Sequence, residues 1–204
     1  MNHREYFDQA AAKWDELTEE ETLIRLGEIV AELDIEPGAR VLDVGTGTGV
    51  LLPLLLERRT RVVALDFSWE MLKRARAKGY PVEYVQGDAQ RLPLKDGTFD
   101  WIICNAVFPH FPDKLRALRE IRRVLKDRGR LVICHTDSRQ RINEFHRSVG
   151  GAVAHDTIPD EGEMRQLLSE AGLGDAEIRD ELDRYLVLAH PTKATKEVVQ
   201  WQCS

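Results

Sequence analysis

Apolar and polar positions along this chain follow two rhythms that replace each other in a regular order. Short apolar runs rich in Val and Ile occupy 41–44, 61–66, 82–86, 99–105 and 130–135, and have the length of strands buried on both faces. Between them, apolar positions three or four apart mark helices over 50–57, 69–77 and 113–125, with Ser68 placed to cap the second of these. Strand and helix alternating in this way predict a parallel sheet wound on both faces.

The flanks follow different patterns. Residues 2–20 carry Tyr6, Phe7, Ala10, Trp14 and Leu17 at helical spacing among charges, which predicts an amphipathic helix with an aromatic face. A helix over 21–33 carries Leu23, Leu26, Ile29, Val30 and Leu33 on one stripe and is ended by Pro37-Gly38. After the fifth strand the apolar rhythm fades into a polar stretch with Arg139, Arg141 and Asn143, then Gly150-Gly151. A helix over 162–171 and two β-type runs, 176–182 and 184–190, close the pattern as an antiparallel hairpin. The expected organisation is one α/β domain: N-terminal helices as a lid over 1–36, a binding core over 37–135, a cap with the closing hairpin over 136–191, and a polar tail over 192–204 in which only Val198, Val199 and Trp201 are large and apolar.

Composition narrows the function classes. With 204 residues, 43% hydrophobic and 31% charged, the chain can bury one full core, and no apolar run reaches the ~18 residues of a membrane span. A net charge of −6 removes the footprint of a nucleic-acid binder, and Arg116, Arg119, Arg122 and Arg123 read as a solvated helix face. The first residues do not lead into a secretory core, so a cytoplasmic protein is expected. Cys104, Cys134 and Cys203 form no C-x-x-C pair, and the first two read as small buried hydrophobes.

Chemistry concentrates at the strand ends. Val41-Leu42-Asp43-Val44-Gly45-Thr46-Gly47-Thr48-Gly49 is a strand that runs into a glycine turn able to approach a ligand closely. In a doubly wound sheet the ligand lies beyond the carboxyl ends of the strands, where Asp66-Phe67, Gly87-Asp88-Ala89 and Asn105 also fall. Asp66 is placed to accept from ribose hydroxyls and Asp88 from an adenine amino group, with Phe67, Met71 and Ala89 as apolar surfaces for the ring. Tyr6 and Trp14 are the side chains with which the first helix would close over that ligand.

These segments, with Ala64-Leu65-Asp66-Phe67-Ser68, Leu92-Pro93, Phe99-Asp100 and Arg119-Glu120-Ile121-Arg122-Arg123-Val124-Leu125-Lys126, resemble the class I S-adenosylmethionine-dependent methyltransferases. The branch most similar is the one that methylates small molecules such as ubiquinone and menaquinone precursors. The resemblance implies a Rossmann-like seven-stranded sheet with its last strand antiparallel, S-adenosylmethionine as cofactor and S-adenosylhomocysteine as product. It implies that Asp43 and the turn through Gly45, Thr46 and Gly47 hold the methionine end, Asp66 the ribose, Gly87, Asp88, Ala89 and Phe67 the adenine, and that Asn105 borders the sulfonium. Asp127-Arg128-Gly129 departs from the usual Pro-Gly-Gly, in a turn expected to lie away from the cofactor.

A sulfonium methyl is already electrophilic, so such a protein supplies alignment, exclusion of water and, where needed, a base. His110, just past the fourth strand, is the expected catalytic base and acceptor contact. His135, Arg139, His146 and His155 are expected to line a polar acceptor pocket with Arg141 and Asn143. The same stretch, with Asp137 and Asp156, is rich in metal-ligand types, but no two of its histidines show short ligand spacing and no metal is expected. Two rivals share the features: an NAD-dependent oxidoreductase, disfavoured because the turn lacks G-x-G-x-x-G spacing, and a non-catalytic protein that binds the same cofactor for regulation.

Overall fold

The computed structural model describes residues 1–17 and 19–192, without the side chain of Leu17. Leu17 as part of the aromatic face, Cys203 and the tail with Val198, Val199 and Trp201 therefore lie outside the described residues.

The strands are β1 (Arg40–Val44), β2 (Arg61–Asp66), β3 (Glu83–Gln86), β4 (Phe99–Asn105), β5 (Leu125–His135), β6 (Leu173–Asp180) and β7 (Tyr185–Pro191). They form a seven-stranded sheet in the order β3-β2-β1-β4-β5-β7-β6, in which β7 runs antiparallel to both of its neighbours. β1 and β4 are direct neighbours, pairing Val41 with Trp101 and Asp43 with Ile103, and the order of strands runs outward from them in both directions. That switch point opens a crevice beyond their carboxyl ends.

Helices α1 (His3–Ala10), α2 (Glu20–Glu32), α3 (Leu52–Glu57), α4 (Trp69–Ala77), α5 (Lys114–Val124), α6 (Arg139–Val149) and α7 (Glu161–Glu170) cover the sheet. Side chains alternate across each strand, so one face sends Leu42, Val44, Ile102 and Ile133 toward Leu118 and Ile121 of α5 and Leu168 of α7. The opposite face sends Val41, Val62, Ile103 and Val132 toward Leu26 and Ile29 of α2 and Leu55 of α3. Cys104 and Cys134 are buried free thiols within these layers. Ser68 caps α4 by accepting from the Met71 N–H.

Several elements differ from the sequence pattern. The first helix breaks at Ala10 and continues as a 3₁₀ segment, Ala11–Leu17. On α2, Leu23 is exposed, because the buried stripe is set by Leu26, Ile29 and Val30. β5 begins at Leu125 and not after a turn at Gly129, since Leu125 pairs with Phe99 and the register shifts before Arg130 joins Trp101.

The polar stretch beyond β5 is a helix, α6, capped by Ser138. Its buried positions are the polar Asn143 and His146, while Phe145 and Val149, which share helical spacing with Ile142, are exposed. Asn143 exchanges two hydrogen bonds with the backbone of Ile158, and His146 bonds the carbonyl of Asp156 through Nδ1. Those bonds tie the 156–158 segment to α6.

Candidate functional site

The turn after β1 is built around its glycines. Gly45, Gly47 and Gly49 sit at φ of +70°, +55° and +86°, a region that side chains disfavour. The N–H groups of Gly45 and Thr46 both donate to the Leu65 carbonyl at the end of β2. A Cβ on Gly45 would lie 2.3 Å from a methyl of Val107, so the bare backbone there lets the loop after β4 close onto the turn. A Cβ on Gly47 would meet only Trp14 Nε1, at 3.8 Å, which leaves open space above that residue.

Two buried carboxylates underlie the turn. Asp43 accepts from the Thr46 hydroxyl at 2.6 Å, and burial pushes its carboxyl up to about 7. Asp66 accepts from the N–H groups of Gly47 (2.9 Å) and Ser68 (2.8 Å), yet burial still raises it to about 6. Among the described residues neither acid has an ion-pair partner. Ala106, at the end of β4, takes φ +52°, a strained conformation at the floor of the crevice.

Three cavities surround the turn and share Gly45. One of 330 Å³ is lined by Tyr6, Trp14, Asp43, Thr46, Gly47, Asn105, Thr136 and Phe145. One of 270 Å³ on the other side is lined by His3, Arg4, Asp66, Phe67, Gly87, Asp88, Ala89 and His110. Between them a 50 Å³ space is bounded by Phe7, Gly47, Asp66, Phe67, Met71 and His110. Phe7 holds α1 over this middle: its ring lies 5.0 Å from His110, 5.7 Å from Trp14 and 5.9 Å from Phe67. Polar latches reinforce the closure, with Ser68 Oγ donating to Asp8 at 2.5 Å and the Thr48 hydroxyl to Asp15.

Residues 42–133 match a family model described as a methyltransferase domain. Over that span the chain is similar to methyltransferase domains. It is 38% identical over 136 residues to a demethylmenaquinone methyltransferase of Thermotoga maritima, covering 62% of this chain and 58% of that one. The chain spans about half the length of the curated relatives it matches. A solved S-adenosylmethionine-dependent methyltransferase of Aquifex aeolicus superimposes with a TM-score of 0.73 at 27% identity, over 89% of this chain and 98% of that one. A solved Methanococcus maripaludis protein gives 0.76 at 23% identity over 98% and 99% of the two chains, a likeness of fold.

The crevice suits S-adenosylmethionine on the structure's own terms. Buried acids without a cation, the open space over Gly47 and a cavity on each side of the turn match an elongated ligand that carries positive charge at one end. Seating a dinucleotide pyrophosphate would call for a helix starting at the turn. α3 instead begins at Leu52, beyond a further turn, with Pro53 in its first positions.

All of the residues expected to hold the cofactor line these cavities: Tyr6, Trp14, Asp43, Gly45, Thr46, Gly47 and Asn105 toward one end, Asp66, Phe67, Met71, Gly87, Asp88 and Ala89 toward the other. The last third is placed differently. His135 is buried in the sheet and His146 is engaged with Asp156, so neither borders a cavity described here. Arg139 is drawn to Asp180 and His155 is exposed to solvent. Sequence reasoning missed Phe7 as the plug of the middle, Phe145 as a wall of the larger cavity, and the joining of His3 and His110 through Asp156. Only Phe7 had a signal, its place on the aromatic face of the first helix; the others depend on contacts across the fold.

Proposed function

We propose that this protein transfers the methyl group of S-adenosylmethionine to a small-molecule acceptor. The observation that carries the proposal is the pair of cavities meeting over Gly45 and Gly47 above two buried acids with no cation of their own. Bound there, the cofactor supplies a sulfonium methyl that needs no further activation.

The chain's own part is to bind, orient and exclude water. Asp88, Ala89 and Phe67 would hold the adenine, Asp66 the ribose, and Asp43 with the turn the charged methionine end. The acceptor would enter beside Asn105 through the wall formed by Tyr6, Trp14, Leu26 and Phe145, a largely apolar and aromatic surface suited to a flat hydrophobic molecule. His110 borders the cofactor cavity and the middle space, not the acceptor side, and its Nδ1 is occupied by Asp156. Proton removal is therefore not assigned to it.

Calorimetry with S-adenosylmethionine and S-adenosylhomocysteine tests the cofactor site: both should bind, and Asp66→Ala should abolish binding. Turnover is tested with methyl-labelled cofactor and a demethylated naphthoquinol, the acceptor class named by the Thermotoga relative, and then with metabolite extracts. Tight binding without a labelled product from any pool would favour a regulatory protein that keeps the site without an acceptor.

A further inference from the structure

Three segments far apart in the chain converge on one carboxylate beside the cofactor cavity. Asp156 meets His3 Nε2 at 2.9 Å and His110 Nδ1 at 2.6 Å, across sequence separations of 153 and 46 residues. One imidazole comes from the first turn of α1, the other from the 3₁₀ turn Phe108–His110 after β4, and the acid from the segment beyond α6. The three donor atoms lie within 4.8 Å of one another. We propose that His3, His110 and Asp156 form a divalent transition-metal site that clamps the N-terminal helix over the cofactor crevice.

The donor set indicates the class of cation. Two imidazole nitrogens and one carboxylate oxygen suit zinc and its borderline neighbours, whereas magnesium and calcium take oxygen ligands. Three protein ligands leave a coordination position for water or another ligand, and both histidines line the cavity on the adenosine side. Ligand nitrogens carrying protons in the metal-free state would release them on binding.

The surroundings brace the ligands. His146 holds the Asp156 carbonyl at 2.8 Å while its ring sits 4.8 Å from that of His110, and Asn143 fixes the adjoining backbone at Ile158. Lys114, a cation close enough to interact with Asp156, is turned to the carbonyls of Pro109 and Phe111. Ligands around a tetrahedral cation at ~2.1 Å stand about 3.4 Å apart, so each imidazole draws back from Asp156 by roughly half to one ångström while the two imidazole nitrogens, within 4.8 Å of each other, settle to the same spacing. His3, with its side chain 29% exposed, has room to make that adjustment.

The test uses the full chain stripped of metal and titrated with cobalt(II), then competed with zinc(II), without cofactor. One equivalent of cobalt should bind with visible ligand-field bands and be displaced by zinc. Since loss of an outer-shell partner alone costs about 10- to 100-fold, Asp156→Asn and His3→Gln should each weaken binding by at least about 100-fold. His155→Gln, exposed and adjacent in sequence, should bind as wild type. Zinc should also slow tryptic cleavage after Arg4 and Lys13. No cobalt bands, or unchanged affinity in both variants, overturns the site; binding that leaves the cleavage rate unchanged overturns the clamp. If Asp156→Asn does not fold, His3→Gln, at a side chain 29% exposed, decides alone. Because no cofactor is present, neither result bears on the methyltransferase proposal.

Discussion

Gly45 and Gly47 share the same left-handed conformation but face different surroundings, so replacing each by Ala separates a structural glycine from a ligand-facing one. At Gly45 the new methyl meets Val107 at 2.3 Å in addition to adopting φ +70°. The conformational cost of ~1–2 kcal/mol adds to an overpacking cost of ~1–3 kcal/mol, giving a stability loss of about 2–5 kcal/mol. At Gly47 the methyl makes only an ordinary 3.8 Å contact with Trp14, and only the conformational cost of ~1–2 kcal/mol falls on the free protein. The overpacking then appears only when the cofactor occupies the space above Gly47, lowering affinity about 5- to 150-fold. Urea unfolding followed by circular dichroism and calorimetry with S-adenosylhomocysteine measure the two quantities. Adding Val107→Ala to Gly45→Ala should recover part of the lost stability, because the 2.3 and 3.1 Å contacts disappear while Val107 Cβ remains at 2.6 Å. The reasoning fails if Gly47→Ala is as destabilised as Gly45→Ala, or if it binds the cofactor product as tightly as wild type.

Asp43, raised to about 7, holds a proton in the folded state that the unfolded chain releases near 3.8, so its contribution to stability is complete below about pH 4 and is lost as the pH rises through 7. Asp43→Asn should therefore gain stability relative to wild type between pH 5 and pH 8 in the absence of cofactor, and a pH-independent difference in denaturant midpoints would count against this assignment. Phe7→Ala removes the ring that packs against His110, Trp14 and Phe67 and should speed tryptic cleavage near the N-terminus while weakening cofactor binding; unchanged cleavage would show that α1 is held by its polar latches alone. Asp88 is exposed and among the described residues its carboxylate bonds only Gln90, so Asp88→Ala should cost about 1 kcal/mol or less in stability but weaken cofactor binding by roughly tenfold, read by the same two methods.

What the sequence determined by itself was the part of the molecule governed by local rules. The strands ending at Val44, Asp66 and Asn105 were visible because strands buried on both faces read as apolar runs. Their ends mark the crevice through topology alone, which is why Asp66, Asp88 and the glycine turn could be named from spacing, whereas the role of Asp43 came from the family resemblance. Tertiary structure decided the last third. α6 carries Ile142, Phe145 and Val149 at helical spacing, yet its buried positions are the polar Asn143 and His146, satisfied by the backbone at Ile158 and Asp156, partners that no local pattern reveals. The meeting of His3, His110 and Asp156 depends on where three distant segments come to rest, since hydrogen bonds and ligation act over a few ångströms in space and carry no fixed spacing along the chain.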